Sequence, residues 1–302
     1  MNIVIVGAGA IGSLYGGLLA KKNKVVLVGR TPHITAIQKK GLTIKGKTRL
    51  SIKVPSLEST KNISSIPDLI LLTVKSYDTE TASRQILPIM AEQTMVMSLQ
   101  NGLDNIEKIE QIIEKNHILA GVSTHGAILS KPGEITHTGE GTTILGELNG
   151  HQSKRLKTLV HTFNEAGIET QISDDIVKEI WIKAIINSSI NPLTAFFGCK
   201  NGYLLENPLL EKIVERVCAE STLVASSERI PISSLETIKK TKEVIQDTAQ
   251  NYSSMLQSIQ QGKKTEIDSI NGTLMRVGTN NNIDTTLNRV LTELLTSGNS
   301  SY

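Results

Sequence analysis

The stretch that most constrains the fold lies at the very start of the chain. "NIVIV" is an apolar run of strand length, and "GAGAIG", Gly7 to Gly12, follows it with no residue between. An uncharged segment of helical length comes next. The G-x-G-x-x-G spacing, placed between a strand and a helix, suits the phosphates of a dinucleotide. Gly7 permits the tight turn, Gly9 lets the backbone approach a pyrophosphate, and Gly12 lets helix and strand pack closely. The free N–H groups and the positive end of the helix then hold the phosphates. The expected cofactor-binding turn is therefore Gly7, Ala8, Gly9, Ala10, Ile11 and Gly12.

The same segment imitates a leader or a membrane span, because "IVIVGAGAIGSLYGGLLA" carries no charge. A signal peptide needs basic residues ahead of its apolar run, and only Met1 and Asn2 stand there. Gly7, Gly9, Gly12, Gly16 and Gly17 also make a poor spanning helix. The expectation is a cytoplasmic protein with no membrane partner. Cys199 and Cys218 lack metal-ligand spacing and suggest a reducing compartment, and no metal site is expected. A net charge of +3, with no basic stripe, excludes nucleic acid as the expected partner.

Cofactor choice is read at the end of the second strand, "KVVLVGR". An NAD site places an acid there to hold the ribose hydroxyls. Here the strand ends in Gly29 and Arg30, and a guanidinium suits a 2′-phosphate. The expected cofactor is NADP(H).

Up to Ser173 the chain alternates strands with helices, the pattern of a parallel sheet with helical crossovers. "LTIKGKTRLSIKV" reads as a hairpin, "PDLILLTVK" as a central strand, and "HILAGVSTHGAIL" as one strand. "GEITHTG" and "TTILGEL" read as an antiparallel pair, and residues 78–90, 104–115 and 153–166 as helices. From Asp174, taken as a helix cap, only helical periodicity remains. A long helix starts at Asn207 and Pro208, residues 234–261 are helical with a kink near Asn251, and Asp284 caps the last helix. "TSGNSSY" reads as a frayed tail. The expected domains are residues 1–173, an α/β dinucleotide-binding domain of Rossmann type, and residues 174–302, an all-α domain, abutting along a cleft.

The helix "EIWIKAIINSSINPL" is apolar on both sides and still keeps a lysine. Ile176, Ile180, Ile186 and Ile190 crowd the side of Lys183, while Val177, Trp181, Ala184 and Ile185 cover the other. Burying an unpartnered ammonium costs several kcal/mol, which Ala or Leu would avoid. Asn187 and Asn191 follow Lys183 at four-residue intervals, "CKNG" brings Asn201, "NYSSMLQ" brings Asn251 and Ser254, and "TEIDSING" brings Glu266. Asn191 precedes Pro192, and on its own that pair ends a helix. His125, in "STHGA", reads as structural rather than catalytic.

"GAGAIG", "TVKSYD", "QNG", "WIKAIINSSINPLTA", "CKNG", "NYSSMLQ" and "TEIDSING", in that order, make the chain resemble the ketopantoate reductases from end to end. The resemblance implies a Rossmann domain followed by a helical domain similar to the C-terminal domain of 6-phosphogluconate dehydrogenase. It implies NADPH-dependent reduction of the 2-oxo acid ketopantoate to (R)-pantoate, on the route to pantothenate and coenzyme A. Carried over position by position, it makes Lys183 the general acid and gives Glu266 the task of positioning the substrate or balancing the ammonium. Asn101, Asn187, Asn191, Asn201, Asn251 and Ser254 would line the substrate site. Lys75 and Asn101 would lie where cofactor and substrate meet, and Arg30 near the adenosine phosphate. Members of the family often carry an acid where this chain has Ser258. A homodimer is compatible with this reading.

The chemistry stands without the family. Reducing a 2-oxo acid builds negative charge on the carbonyl oxygen, and an ammonium can both stabilise that charge and protonate it. Desolvation lowers a lysine pKa and a nearby carboxylate raises it, so Lys183 and Glu266 together can balance near working pH. Two rivals are a D-2-hydroxyacid dehydrogenase acting on another branched 2-oxo acid, and a non-catalytic NADP(H)-sensing module in which Lys183 is expendable.

Overall fold

The computed structural model describes residues 1–297, so the end of the expected frayed tail lies outside the described residues. The chain divides into two compact units, Met1–Gln100 with Asn105–Glu179, and Asn101–Asp104 with Ile180 onward.

The first unit is built on an eight-stranded sheet. Its central strands are β1 (Asn2–Val6), β2 (Lys24–Val28), β6 (Leu69–Leu72), β7 (Met95–Ser98) and β8 (Ile118–Ser123), all parallel. The short β5 (Ser56–Leu57) extends one edge in parallel, while β11 (Thr143–Glu147) joins β8 antiparallel and carries β12 (Thr170–Ile172). The order is β12-β11-β8-β7-β6-β1-β2-β5. Both faces are covered, as a parallel sheet requires. Ile3 and Ile5 point into one core with Leu14 and Leu27, while Val4 and Val6 point into the other with Ile70 and Ile86.

A second sheet of four strands runs β4-β3-β10-β9, made from β3 (Leu42–Gly46), β4 (Leu50–Ile52), β9 (Gly126–Lys131) and β10 (Glu134–Gly139). Helix α1 (Ala10–Leu19) packs against it, and a Cβ on Gly17 would stand 2.8 Å from Ile44 Cδ1. α2 (Thr31–Lys40), α3 (Thr79–Ile86), α4 (Asn105–Glu110) and α5 (Lys154–Glu165) complete the unit.

Five expectations for this unit are corrected. "HILAGVSTHGAIL" is two strands, because the chain turns at Thr124 and His125 and leaves the large sheet for the small one. "GEITHTG" and "TTILGEL" do not pair with each other: β10 pairs with β9 and β3, and β11 with β8 and β12. Alternation marks each strand but carries no sign of which sheet it joins. The helix read over 104–115 is α4 alone, and the one over 78–90 ends at Ile86 before a 3₁₀ turn at Leu87–Ile89. Asp174 is not the cap of the next helix, since Asp175 Oδ1 accepts from Lys178 N and Asp174 instead accepts from Gln152.

The second unit is helical. Its long elements are α6 (Ile176–Phe197), α8 (Pro208–Ser227), α9 (Ser234–Asp247), α11 (Asn271–Asn280) and α12 (Thr286–Ser297), with the shorter α7 (Tyr203–Glu206) and α10 (Ser254–Gln260). Asn207 caps α8 through its side chain, as its place before Pro208 suggests. Residues 248–253 break the expected 234–261 helix in two, and Ser253 caps α10.

Pro192 does not end α6, which continues for another turn to Phe197. A proline inside a helix leaves the carbonyl four residues back without its donor. That carbonyl is Ser188 O, and Asn271 Nδ2 donates to it at 3.1 Å. The same amide donates to Asn288 Oδ1 at 2.9 Å, and Asn288 in turn donates to Glu220 and Ser221. Asn271 and Asn288 are fully buried, so this chain of bonds locks α6, α8, α11 and α12 together from inside.

Candidate active site

In the first unit the Gly7–Gly12 segment makes a tight turn between β1 and α1. Gly7 adopts φ +107°, and a Cβ there would lie 2.6 Å from the carbonyl carbon of Thr73. Gly7 N and Ala8 N donate to Val28 O at 2.9 and 2.8 Å, which fixes the turn to the end of β2. Gly9 occupies the N-cap of α1 with no side-chain cap, and the first turn holds no acid. The donors of Ala10, Ile11 and Gly12 thus open a helix whose positive end carries no competing anion. Such a cradle fits a diphosphate.

Two supports were missed by sequence reasoning. Thr73, which follows the apolar run of "PDLILLTVK", donates its hydroxyl to Gly7 O at 2.9 Å. His33 Nδ1 accepts from Gly133 N at 2.9 Å, so its Nε2 carries the proton and donates to Ser13 Oγ at 2.9 Å. Burial keeps His33 below the usual histidine range, which favours this neutral form. A polar residue at the end of an apolar strand was the available signal for Thr73; His33 offered none.

Arg30 stands just past β2 and is exposed, its Nη2 3.0 Å from Asp78 Oδ2. Lys75 opens the 3₁₀ turn Ser76–Asp78 after β6 and is half-buried. Gln100 steadies that loop, donating to Val74 O at 3.0 Å and Thr79 Oγ1 at 2.7 Å. His125 accepts from Gly141 N, meets the Tyr15 ring edge-on, and is held below the usual histidine range first by burial. These contacts support its structural reading.

In the second unit Lys183, Asn187 and Asn191 lie along one stripe of α6. Burial pulls the Lys183 ammonium down from its ordinary value to about 8, and the Glu266 carboxylate opposes that fall. Glu266 is itself buried at 7% exposure and opens the 3₁₀ turn Ile267–Ser269. The segment Asn101–Asp104 meets this turn: Leu103 N donates to Ser269 O at 2.9 Å, and Ser269 Oγ donates to Asp104 at 3.3 Å. These bonds tie the short segment that carries Asn101 to the turn that Glu266 opens.

Asn191 and Asn201 are buried, whereas Asn251 and Ser254 are exposed. Asn201 N donates to Asn251 O at 3.0 Å, and Asn201 Nδ2 to Thr248 Oγ1 at 2.9 Å. Asn201 Oδ1 is buried with no partner, an unmet acceptor. Thr194, one turn past Ile190 on α6, donates to Ser253 at 2.7 Å and ties α10 to the lysine helix. Ser258 is buried and bonds back to Ser254 O. Among the described residues no cluster of His, Cys, Asp and Glu could hold a metal, and no helix is long and apolar enough to cross a membrane.

Two family models match the chain: "Ketopantoate reductase PanE/ApbA" over residues 3–150, and its C-terminal counterpart over 175–298. The 2-dehydropantoate 2-reductase of Pyrococcus horikoshii is 41% identical over 298 residues, covering 98% of this chain and 96% of the relative. That of Aquifex aeolicus is 34% identical, covering 98% and 96%. Among solved structures, a D-mandelate dehydrogenase with NADH and anilino(oxo)acetate matches with TM-score 0.95 at 28% identity, covering 100% of this chain and 99% of that one. A PanE/ApbA family ketopantoate reductase from Ralstonia eutropha matches with TM-score 0.92 at 29% identity, covering 99% of each. An α/β unit opening on a strand–glycine turn–helix, a helical unit with a half-buried lysine and a buried carboxylate, and these relatives together place the chain in the ketopantoate reductase family.

Proposed function

We propose that the chain is a 2-dehydropantoate 2-reductase, reducing ketopantoate to (R)-pantoate with NADPH for pantothenate and coenzyme A synthesis. The observation that carries the proposal is Lys183, an ammonium held near pKa 8 by burial, with the Glu266 carboxylate beside it. The dinucleotide would be held by the Gly7–Gly12 turn, with Arg30 on a 2′-phosphate and Lys75 and Asn101 toward the reacting end. When bound, it supplies a hydride to the carbonyl carbon of the substrate.

Lys183 supplies the proton. As charge grows on the carbonyl oxygen, an Nζ–H bond breaks toward it, leaving a hydroxyl on the product and a neutral amine. Burial favours that neutral amine, while Glu266 keeps the lysine charged until the transfer. The amine regains its proton from water. Asn187, Asn191, Asn201, Asn251 and Ser254 offer neutral donors and acceptors for the substrate's hydroxyl and carboxylate, and the unmet Asn201 Oδ1 suits a hydroxyl donor. The N-terminal domain (1–173) is the cofactor half and the C-terminal domain (174–302) the acid-bearing half of a cytoplasmic enzyme. Its partners are small molecules and, as an expected assembly, a second copy of itself.

A second reading, reduction of another 2-oxo acid to a D-2-hydroxy acid, draws on the match to D-mandelate dehydrogenase. A substrate panel separates the two. Purified protein with NADPH should turn over ketopantoate faster than 2-oxoisovalerate, pyruvate or benzoylformate, and an equal or reversed preference would defeat the ketopantoate assignment.

A further inference from the structure

The second strand ends without the acid that an NAD site uses, yet the fold brings one there from elsewhere. In the large sheet β1 lies between β6 and β2, so the loops after those two strands flank the phosphate turn from opposite sides. Arg30 belongs to one loop and Asp78 to the other, and their side chains meet at 3.0 Å. We propose that Asp78 and Arg30 form a composite site for the 2′ position of the adenosine ribose. The guanidinium takes a 2′-phosphate, the carboxylate takes a 2′-hydroxyl, and Asp78 sets how well the chain uses NADH beside NADPH. This rests on the cofactor reading above and extends it to a second dinucleotide.

Three observations carry the inference. Asp78 stands at the N-cap of α3 but makes no side-chain cap bond there, so its carboxylate is committed to Arg30 instead. Both groups remain open to a ligand, with side-chain exposures of 80% for Arg30 and 39% for Asp78. Each also keeps capacity in hand: a guanidinium has further N–H donors, and a carboxylate accepts on two oxygens. An isolated exposed ion pair adds little stability, so the pair is poorly explained by folding alone. Electrostatics gives the direction of the effect. A carboxylate beside the guanidinium weakens its pull on a dianionic phosphate and repels that phosphate directly, while it accepts a charge-assisted bond from a hydroxyl.

The test is direct binding of NADPH and of NADH to the full chain with no 2-oxo acid present, so that its outcome is independent of the substrate. Asp78→Asn removes the charge and keeps the shape. It should tighten NADPH, weaken NADH, and raise the ratio of the two affinities about tenfold, the scale of one charged hydrogen bond. Asp78→Ala should move the ratio the same way, and thermal unfolding should show both variants folded, since no cap bond is lost. Ratios unchanged in both variants would make the pair a plain surface contact and overturn the proposal alone. Arg30→Ala should weaken NADPH far more than NADH. Equal losses would overturn the cofactor reading and the proposal together.

Discussion

The two units carry their chemistry in different materials. On the proposed reading the working groups of the α/β unit are backbone N–H donors, with side chains such as Thr73 and His33 bonded around the turn. The same reading makes side chains the working groups of the helical unit, with the backbone as their scaffold. Lys183, Asn187 and Asn191 project from a helix kept in register by Asn271 bonding the carbonyl that Pro192 leaves without a donor. A backbone site depends on glycine conformation and close approach; a side-chain site depends on burial and on satisfied polar groups behind it. Substitutions should therefore fail in different ways in the two units.

The largest effect belongs to the side-chain site. Lys183→Ala should cut turnover by roughly 10²-fold or more, the scale of lost acid–base help, while dinucleotide binding stays near wild type. Turnover close to normal would remove the distinction drawn here. A smaller but opposite pattern is expected of Gly7→Ala, which places a Cβ against Thr73 and forces φ +107° on an L side chain. Dinucleotide affinity should fall about tenfold or more, with stability lower by about 1–3 kcal/mol. Binding titrations and urea unfolding check both parts, and unchanged affinity would show that the turn tolerates a side chain. The smallest effect on chemistry and the clearest on stability is Asn271→Ala. It strips donors from Ser188 O and Asn288 Oδ1, and each buried orphan costs about 1–3 kcal/mol. Urea unfolding with no loss would mean the buried network does not hold α6.

The same contrast decides what could be read from the chain. The strand, glycine turn and helix at the start of the chain were legible because a strand, glycines at fixed spacing and a helix are all local. So were the Asn207 cap of α8 and the all-helical second unit, since capping and periodicity are local too. The course of "HILAGVSTHGAIL" from one sheet into another was not, because the turn at His125 interrupts no hydrophobic pattern strongly. Nor was the passage of α6 through Pro192, which depends on an amide almost eighty residues downstream in sequence. Within the candidate site, Lys183 stood out as a charge among apolar neighbours, whereas Glu266 also reads as an ordinary acid at the start of a helix and was singled out only by the resemblance. The partnership of Arg30 with Asp78 did not stand out, because it joins two loops by tertiary contact alone.

Lys183 titration tests the central claim most directly. Its pKa is pulled down to about 8 by burial, with Glu266 opposing, so the ammonium is fully present well below pH 8 and is lost as pH rises through that value. NMR of ¹³C-labelled lysine side chains, assigned through Lys183→Ala, reads this titration without relying on turnover. The account predicts a midpoint near 8 that moves lower in Glu266→Gln, where the opposing carboxylate charge is gone. A midpoint at the ordinary lysine value of about 10.4, unmoved by Glu266→Gln, would contradict it.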